Sequence, residues 1–291
     1  MKRSLLLTAL AALLVATSCA GSGSDSKPTK KEASERKGWN EGSLYGDVES
    51  IATTYCTLTE KFGELVKDEI YEKEVYKFNP KGDVTEKACY NSDGSLRWKE
   101  INKYDSQGNC VERASYNSDG SLLRKALPKY DSQGNQIEWA EYNSNGLLDY
   151  KYLYKYDSQG NQIEGASYNS DGSLRSKSLH KYASQGNQIE VAYYNNDGSL
   201  RYKYLYKYDS QGNCIEGAYY DRYGLLVGIN LNKYDSQGNQ IEWAYYDSDD
   251  SLSSKFLYKY DSQGNWIEKA KYEGEIMKSI SMEERTIVYR K

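Results

Sequence analysis

The chain is poor in the residues from which ordinary cores and ordinary active sites are made. Among 291 residues there are only three Phe, three Pro and one His. Compact cores draw on Phe, Leu, Ile and Val, so the scarcity of Phe and a mean hydropathy of -0.87 argue against a single packed globule. The lone His180 has no visible partners for a zinc site or a catalytic triad. The five cysteines, Cys19, Cys56, Cys89, Cys110 and Cys214, include no C-x-x-C pair, which leaves zinc poorly supported. Cys110 and Cys214 share a repeat phase four repeats apart, beyond disulfide reach in an open sheet. Positive charge is not in excess: 38 Lys and Arg face 42 Asp and Glu, net -4. A polyanion binder shows a basic excess or stripe, so nucleic acid is excluded as a partner.

Long apolar runs are missing too, except at the start. Met1-Lys2-Arg3 is followed by an apolar run from Leu5 to Val15, too short to span a bilayer comfortably and of the length of a signal sequence. It ends Val15-Ala16-Thr17-Ser18-Cys19. That ending resembles the lipobox of bacterial lipoproteins, although Ala16 stands where Leu is usual. The resemblance implies lipidation of Cys19, a membrane partner through that anchor, and an outer-membrane lipoprotein of a Gram-negative bacterium, facing the periplasm or the surface. The alternative is a plain secretory signal with an incidental cysteine. Residues 1–18 are then the signal peptide, and residues 19–42, rich in Gly, Ser, Lys and Glu, a flexible tether.

What the chain has in abundance is Tyr, 31 of them, and Gly, 24 of them. Tyr-Asp-Ser-Gln-Gly-Asn begins at Tyr104, Tyr130, Tyr156, Tyr208, Tyr234 and Tyr260, with a variant at Tyr182 and a degenerate copy at Phe78, always in steps of 26. Between these lies Tyr-Asn-Ser-Asp-Gly-Ser, at Tyr90, Tyr116 and Tyr168, with looser copies at Tyr142, Tyr194, Tyr220 and Tyr246. A fixed period in this range marks a repeat architecture. In both motifs Asp or Asn opens a type I turn and Gly supplies the left-handed residue of a three-residue hairpin loop. Between turns the residues alternate as strands do: Tyr150, Tyr152 and Tyr154 fall on one face, Lys151, Leu153 and Lys155 on the other.

The fold expected is all-β: an elongated antiparallel meander of tandem 26-residue hairpins forming an open, coiled sheet or solenoid. Residues 43–77 supply capping strands, 78–272 the repeats and 273–291 a closing strand. Pro128, which cannot donate to a ladder, predicts a bulge or break. Counting across Ser144-Asn145-Gly146 places Ala140 opposite Tyr150 and Ile137 opposite Leu153. Trp139 and its equivalents then share a face with Ile, Leu and Lys.

The Tyr-Asp-x-x-Gly-Asn unit resembles the YD repeat of the Rhs family over residues 78–272, and the alternation of two Gly turns is similar to MORN-type hairpin arrays. The first resemblance implies spiral β-sheet and surface binding of carbohydrate. The Asp-Pro-x-Gly-Leu core motif and a toxin-sized domain after the repeats are missing, so it does not imply a toxin cage.

Little here points to catalysis. Glu86, Glu112, Glu138, Glu164, Glu190, Glu216, Glu242 and Glu268 recur once per repeat; so many equivalent copies read as framework, accepting hydrogen bonds from Tyr such as Tyr152 and Tyr154, and not as a glycosidase pair. No enzyme and no cofactor is expected. The positions that vary while the frame stays fixed carry Trp139, Tyr193, Tyr219, Trp243 and Tyr245. A row of aromatics on a wide sheet is a stacking platform for sugar rings or a protein partner. The expected function is a binding scaffold for glycan or protein; the alternative is a structural spacer without a dedicated ligand.

Overall fold

A computed structural model describes residues 44–62, 64–274 and 278–290. The signal peptide, the tether and Cys19 lie outside the described residues, as does Ile276 at the start of the closing strand. The described chain is eighteen strands. Two long strands come first, β1 (Val48–Lys61) and β2 (Glu64–Phe78). The repeats then supply β3 (Val84–Asn91), β4 (Leu96–Tyr104), β5 (Cys110–Asn117), β6 (Leu122–Tyr130), β7 (Gln136–Asn143), β8 (Leu148–Tyr156), β9 (Gln162–Asn169) and β10 (Leu174–Tyr182). They continue through β11 (Gln188–Asn195), β12 (Leu200–Tyr208), β13 (Cys214–Asp221), β14 (Leu226–Tyr234), β15 (Gln240–Asp247), β16 (Leu252–Tyr260) and β17 (Trp266–Glu273). The last strand is β18 (Lys278–Tyr289).

Every strand pairs antiparallel with its sequence neighbours, and β1 also pairs with β18, from Ser50 opposite Val288 to Thr57 opposite Ser281. The sheet is therefore a closed barrel, and the expectation of an open coiled sheet or solenoid is overturned. The physical reason is accumulated curvature. Strands twist by about 20–25° each, and each hairpin carries β-bulges, which bend a strand further. Closure also removes both unpaired edges. Eighteen strands at about 4.8 Å give a circumference of roughly 86 Å, a size at which side chains no longer fill the interior. All substantial contacts between strands are between ladder partners.

The turns form as their residues dictate. In each Tyr-Asp-Ser-Gln-Gly-Asn loop, Asp Oδ1 accepts from the backbone N–H groups two and four residues on, as at Asp157 with Gln159 and Asn161, both 2.9 Å. Asn161 Nδ2 donates to Asp157 Oδ2, also at 2.9 Å. Gly160 sits at φ +82° and the Gly-slot substitute Asp250 at +65°. The motif Tyr has a separate task. Tyr156 donates its hydroxyl to the carbonyl of Gln136 at 2.7 Å, and Tyr182, Tyr208, Tyr234 and Tyr260 reach back twenty residues in the same way. The acceptor lies at a bulge, where the ladder register shifts, so the Tyr staples each repeat to the one before.

A second bulge beside the other turn corrects the register. Tyr142 pairs with Leu148, but Glu141 pairs with Tyr150, so Asp149 is an extra residue. Ala140 consequently lies opposite Lys151, Trp139 opposite Tyr152 and Glu138 opposite Leu153. A one-residue shift moves every side chain to the other face. Trp139 and its equivalents thus share a face with the Tyr rows, and not with Ile and Leu. Pro128 breaks nothing: β6 runs through it, with Pro128 opposite Trp139. On its other side the β5–β6 ladder starts at Arg113–Ala126, one rung short of the Glu138–Leu153 start in the next hairpin, as a missing N–H requires.

Candidate functional site

The two faces of the wall differ in chemistry. One carries, rung by rung, Lys against Glu, Leu or Ile against Ala, and Lys against Tyr. The Lys–Glu rungs are ion pairs: Lys129–Glu138 at 2.7 Å, Lys155–Glu164 at 3.0 Å, Lys207–Glu216 at 2.7 Å. Glu112 and Glu164 each take a second Lys, at 2.5 and 2.7 Å, and these hydrogen bonds hold both carboxyls below the usual range. The repeated Glu therefore meets Lys, and not the Tyr152 and Tyr154 hydroxyls expected as its donors. Lys155 and Lys207 are 69% exposed, whereas burial raises Tyr154, Tyr206 and Tyr258 on the opposite face, so the Lys–Glu face is the convex outside and the Tyr face the concave inside. An outer-membrane barrel presents an apolar band about 25 Å tall. Here the Leu–Ala rung is one residue high, between a Lys–Glu row and a Lys–Tyr row.

The other face lines the lumen and buries several of its polar side chains: Ser115, Ser167, Glu141 and Asn102 are all below 8% exposed. It divides into two halves. Strands β17, β18 and β1 to β7 carry ion pairs, Lys87–Glu74 at 3.1 Å, Arg113–Glu100 at 3.3 Å, Arg124–Glu141 at 3.4 Å and Lys269–Glu283 at 2.8 Å. The stretch β8 to β16 carries aromatics, on β8, β11, β12, β13, β15 and β16. Tyr193 lies 4.6 Å from Tyr202, which meets Tyr219 at 5.7 Å; Tyr219 stacks on Tyr204 at 5.0 Å. Trp243 contacts Phe256 at 5.4 Å and runs parallel to Tyr245 at 6.2 Å. Tyr152–Tyr154 and Tyr204–Tyr206 are parallel pairs of the same spacing, at 6.4 and 6.3 Å. Burial pushes Tyr204 up to about 12 and raises Tyr154 and Tyr206 further, so these phenols stay neutral donors.

Of the five residues singled out in the sequence, the structure brings Tyr193 and Tyr219 into one cluster and Trp243 with Tyr245 into the next. Trp139 stands apart on β7, with the Arg113 guanidinium 5.0 Å from its ring centre. All five are half-buried on the lumen face. Sequence reasoning assigned Tyr150, Tyr152 and Tyr154 to the opposite face. The signal that would have corrected it is the Lys–Glu match, since only the bulged register sets Lys155 against Glu164. His180 also faces the lumen, its Nε2 3.0 Å from Ser178 Oγ and 3.3 Å from the Gln162 amide; burial holds the ring below the ordinary histidine range. Among the described residues, no three His, Cys, Asp or Glu converge as a metal site.

Comparison with known proteins shows no matching family model and no matching curated protein. Among solved structures, a porin-like protein from Bacteroides uniformis is similar at 9% identity over 83% of this chain and 96% of its own, TM-score 0.43. The TcdB2-TccC3-Cdc42 structure matches at 13% identity and TM-score 0.30 over 79% of this chain, which spans only 14% of that one. A DUF1329 family protein from Desulfovibrio piger matches at 8% identity and TM-score 0.20, covering 83% and 86%. Superpositions this loose assign neither a family nor a ligand.

Proposed function

We propose that this chain is a glycan-binding barrel, held at the bacterial outer membrane by a lipid on Cys19, that takes its ligand into the lumen without chemically changing it. The observation that carries the reading is the aromatic half of the lumen. Rings from β11, β12, β13, β15 and β16 form two clusters side by side, half-open to the interior. Tyr offers a face to a sugar ring and a hydroxyl to its oxygens. The charged outer surface supports a barrel tethered beside a membrane and not embedded in one. The YD-repeat resemblance points the same way.

The test is binding of soluble polysaccharides to the purified full-length protein. Each stacked ring contributes on the order of 0.5–1.5 kcal/mol beyond its buried area, so Tyr219→Ala with Trp243→Ala should weaken binding about tenfold or more while the fold persists. If no polysaccharide binds, or binding ignores this pair, the spacer reading replaces it.

A further inference from the structure

The aromatic half of the lumen is not an even carpet. One hydrogen-bonded rung runs Tyr154, Gly165, Ser178, Tyr193 across β8 to β11. Another runs Tyr206, Gly217, Asn230, Tyr245 across β12 to β15. The second is the first moved by two repeats, position for position. On both, two small or polar residues on adjacent strands lie between two tyrosines, so each rung is a trough two strands wide with phenol walls. The intervening rung is filled: His180, Val191, Tyr204, Tyr219. Beyond the first trough Tyr152 pairs with Trp139 on one side and with Ser167 on the other, and beyond the second Trp243 stands between Asn232 and Phe256. The pattern alternates trough and ridge with a period of two repeats, while the outer face repeats every one.

The fold does not demand the small residues. Position 178 is equivalent to 152 and 204, both Tyr, and position 230 to 204 and 256, Tyr and Phe. The glycines lie under polar tips: a Cβ on Gly165 would come within 2.9 Å of Ser178 Oγ, and one on Gly217 within 2.5 Å of Asn230 Oδ1. Each floor therefore presents one hydrogen-bonding side chain drawn down against the backbone. Over these four strands neither rung carries an ionised side chain; the carboxylates Asp221 and Glu273 come two strands beyond the far walls.

Resting on the reading above, we infer that the two troughs are equivalent subsites for a neutral oligosaccharide, and that the natural ligand is a polymer engaging both. The walls select rings, the floors select hydroxyl-rich groups, and the lack of charge selects against uronic or phosphorylated sugars. Duplication matches a ligand that repeats. The troughs lie four strands apart, roughly 19 Å along the wall, so the second engages intramolecularly.

The test is calorimetric titration of the full chain with maltotriose and laminaritriose, and with long-chain maltodextrin and laminarin. One trisaccharide should bind at two sites per chain, and its polymer more tightly by a factor on the order of 10². Ser178→Tyr and Asn230→Tyr each fill one trough with the residue that equivalent positions already carry. Each should halve the trisaccharide stoichiometry and reduce the polymer to trisaccharide affinity, with Tm unchanged; together they should abolish binding. Should either variant misfold, Tyr193→Ala and Tyr245→Ala remove one wall from each trough and should give the same halving. A single wild-type site, or stoichiometry unmoved by these changes, overturns the two-trough inference and leaves lumenal glycan binding standing. No binding by any of the four probes overturns both.

Discussion

The barrel holds together in two different ways, and the contrast between its repeat wall and its seam shows what repetition can and cannot do. Along the wall, each repeat is fixed to its neighbour by short-range devices: a Tyr hydroxyl on the preceding bulge, an Asp–Asn clip in the turn, a Lys–Glu rung outside. The buried apolar side chains there are mostly alanines. At the seam, where strands more than two hundred residues apart must join, the molecule builds a core. Leu44, Val48, Ile51 and Phe78 cluster with Tyr76, Val84, Ile287 and Tyr289 around them. Arg290 ties the end of the chain to the start, its backbone N–H on the Asp47 carbonyl at 2.8 Å and its guanidinium on Asp47 Oδ1 and the Phe78 carbonyl. Neighbours in sequence need little packing because closing a short loop costs little entropy; the ends need much more.

Alkali should weigh most on the wall, which carries most of the buried tyrosines, although burial also pushes Tyr289 at the seam up to about 12. Burial pushes Tyr130, Tyr204, Tyr234 and Tyr260 up to about 12, and an unfolded Tyr titrates near 10. A phenol whose folded value is raised contributes stability below the unfolded value and loses it as pH rises between the two. The wall should therefore weaken from about pH 10 and unfold cooperatively before pH 12, although the seam's aliphatic core does not titrate. The late part of the tyrosinate absorbance, from the buried phenols, should rise together with the loss of circular dichroism, with no such late step expected if those phenols are not held neutral. A smooth absorbance rise near pH 10 with the β signal intact would mean that the lumen tyrosines are not held neutral by the fold.

This dependence on Tyr was legible in the sequence, and so were the period, both turn types, the strand positions and Asp250 in a glycine slot. The faces were not. Asp149 and its equivalents look like ordinary strand residues, and a bulge of one residue is invisible to period-two counting, so Trp139 and Tyr193 went to the wrong side. Closure was not legible either. Whether twist brings β1 to β18 depends on curvature summed over the whole sheet; of the residues that secure it, Asn265 looks like any other copy of the motif, and Tyr45 and Tyr289 lie outside the repeats with nothing to mark their role.

Asn265 makes the comparison at a single position. In a repeat the motif Asn clips its own turn, as Asn135 does on Asp131 at 3.0 Å. In the last copy that clip is replaced by Tyr289, whose hydroxyl donates to Asp261 Oδ2 at 2.6 Å. Asn265, 1% exposed, turns instead to the start of the chain: it accepts from the Tyr45 N–H at 2.7 Å and donates to the Tyr45 carbonyl at 2.8 Å and to Tyr289 at 2.7 Å. Asn265→Ala leaves buried backbone groups unpaired and should cost about 2–4 kcal/mol, against about 1 kcal/mol for Asn135→Ala. Chemical denaturation of both variants measures the ratio, and equal losses would deny the seam its special role.

The smallest effect belongs to the outer ion pairs, although they recur along the whole wall. Lys155 and Glu164 lie 3.0 Å apart, but the Lys is 69% exposed and the Glu has Lys177 as a second partner at 2.7 Å. Water screens such a pair, and ordering a long side chain offsets much of what Coulomb attraction supplies. Lys155→Ala should therefore cost no more than about 0.5 kcal/mol, since Glu164 keeps its partner. Glu164→Gln, which strips both lysines of their counter-ion, should cost slightly more. The lowered Glu164 carboxyl gives that variant a pH signature. Stability from a depressed carboxylate is present above its unfolded value and is lost as pH falls through the folded one. The gap between wild type and Glu164→Gln should thus close below about pH 4. A gap that persists at that acidity would mean that Glu164 acts through the hydrogen-bond geometry of its head group and not by charge, since Gln keeps the same stem.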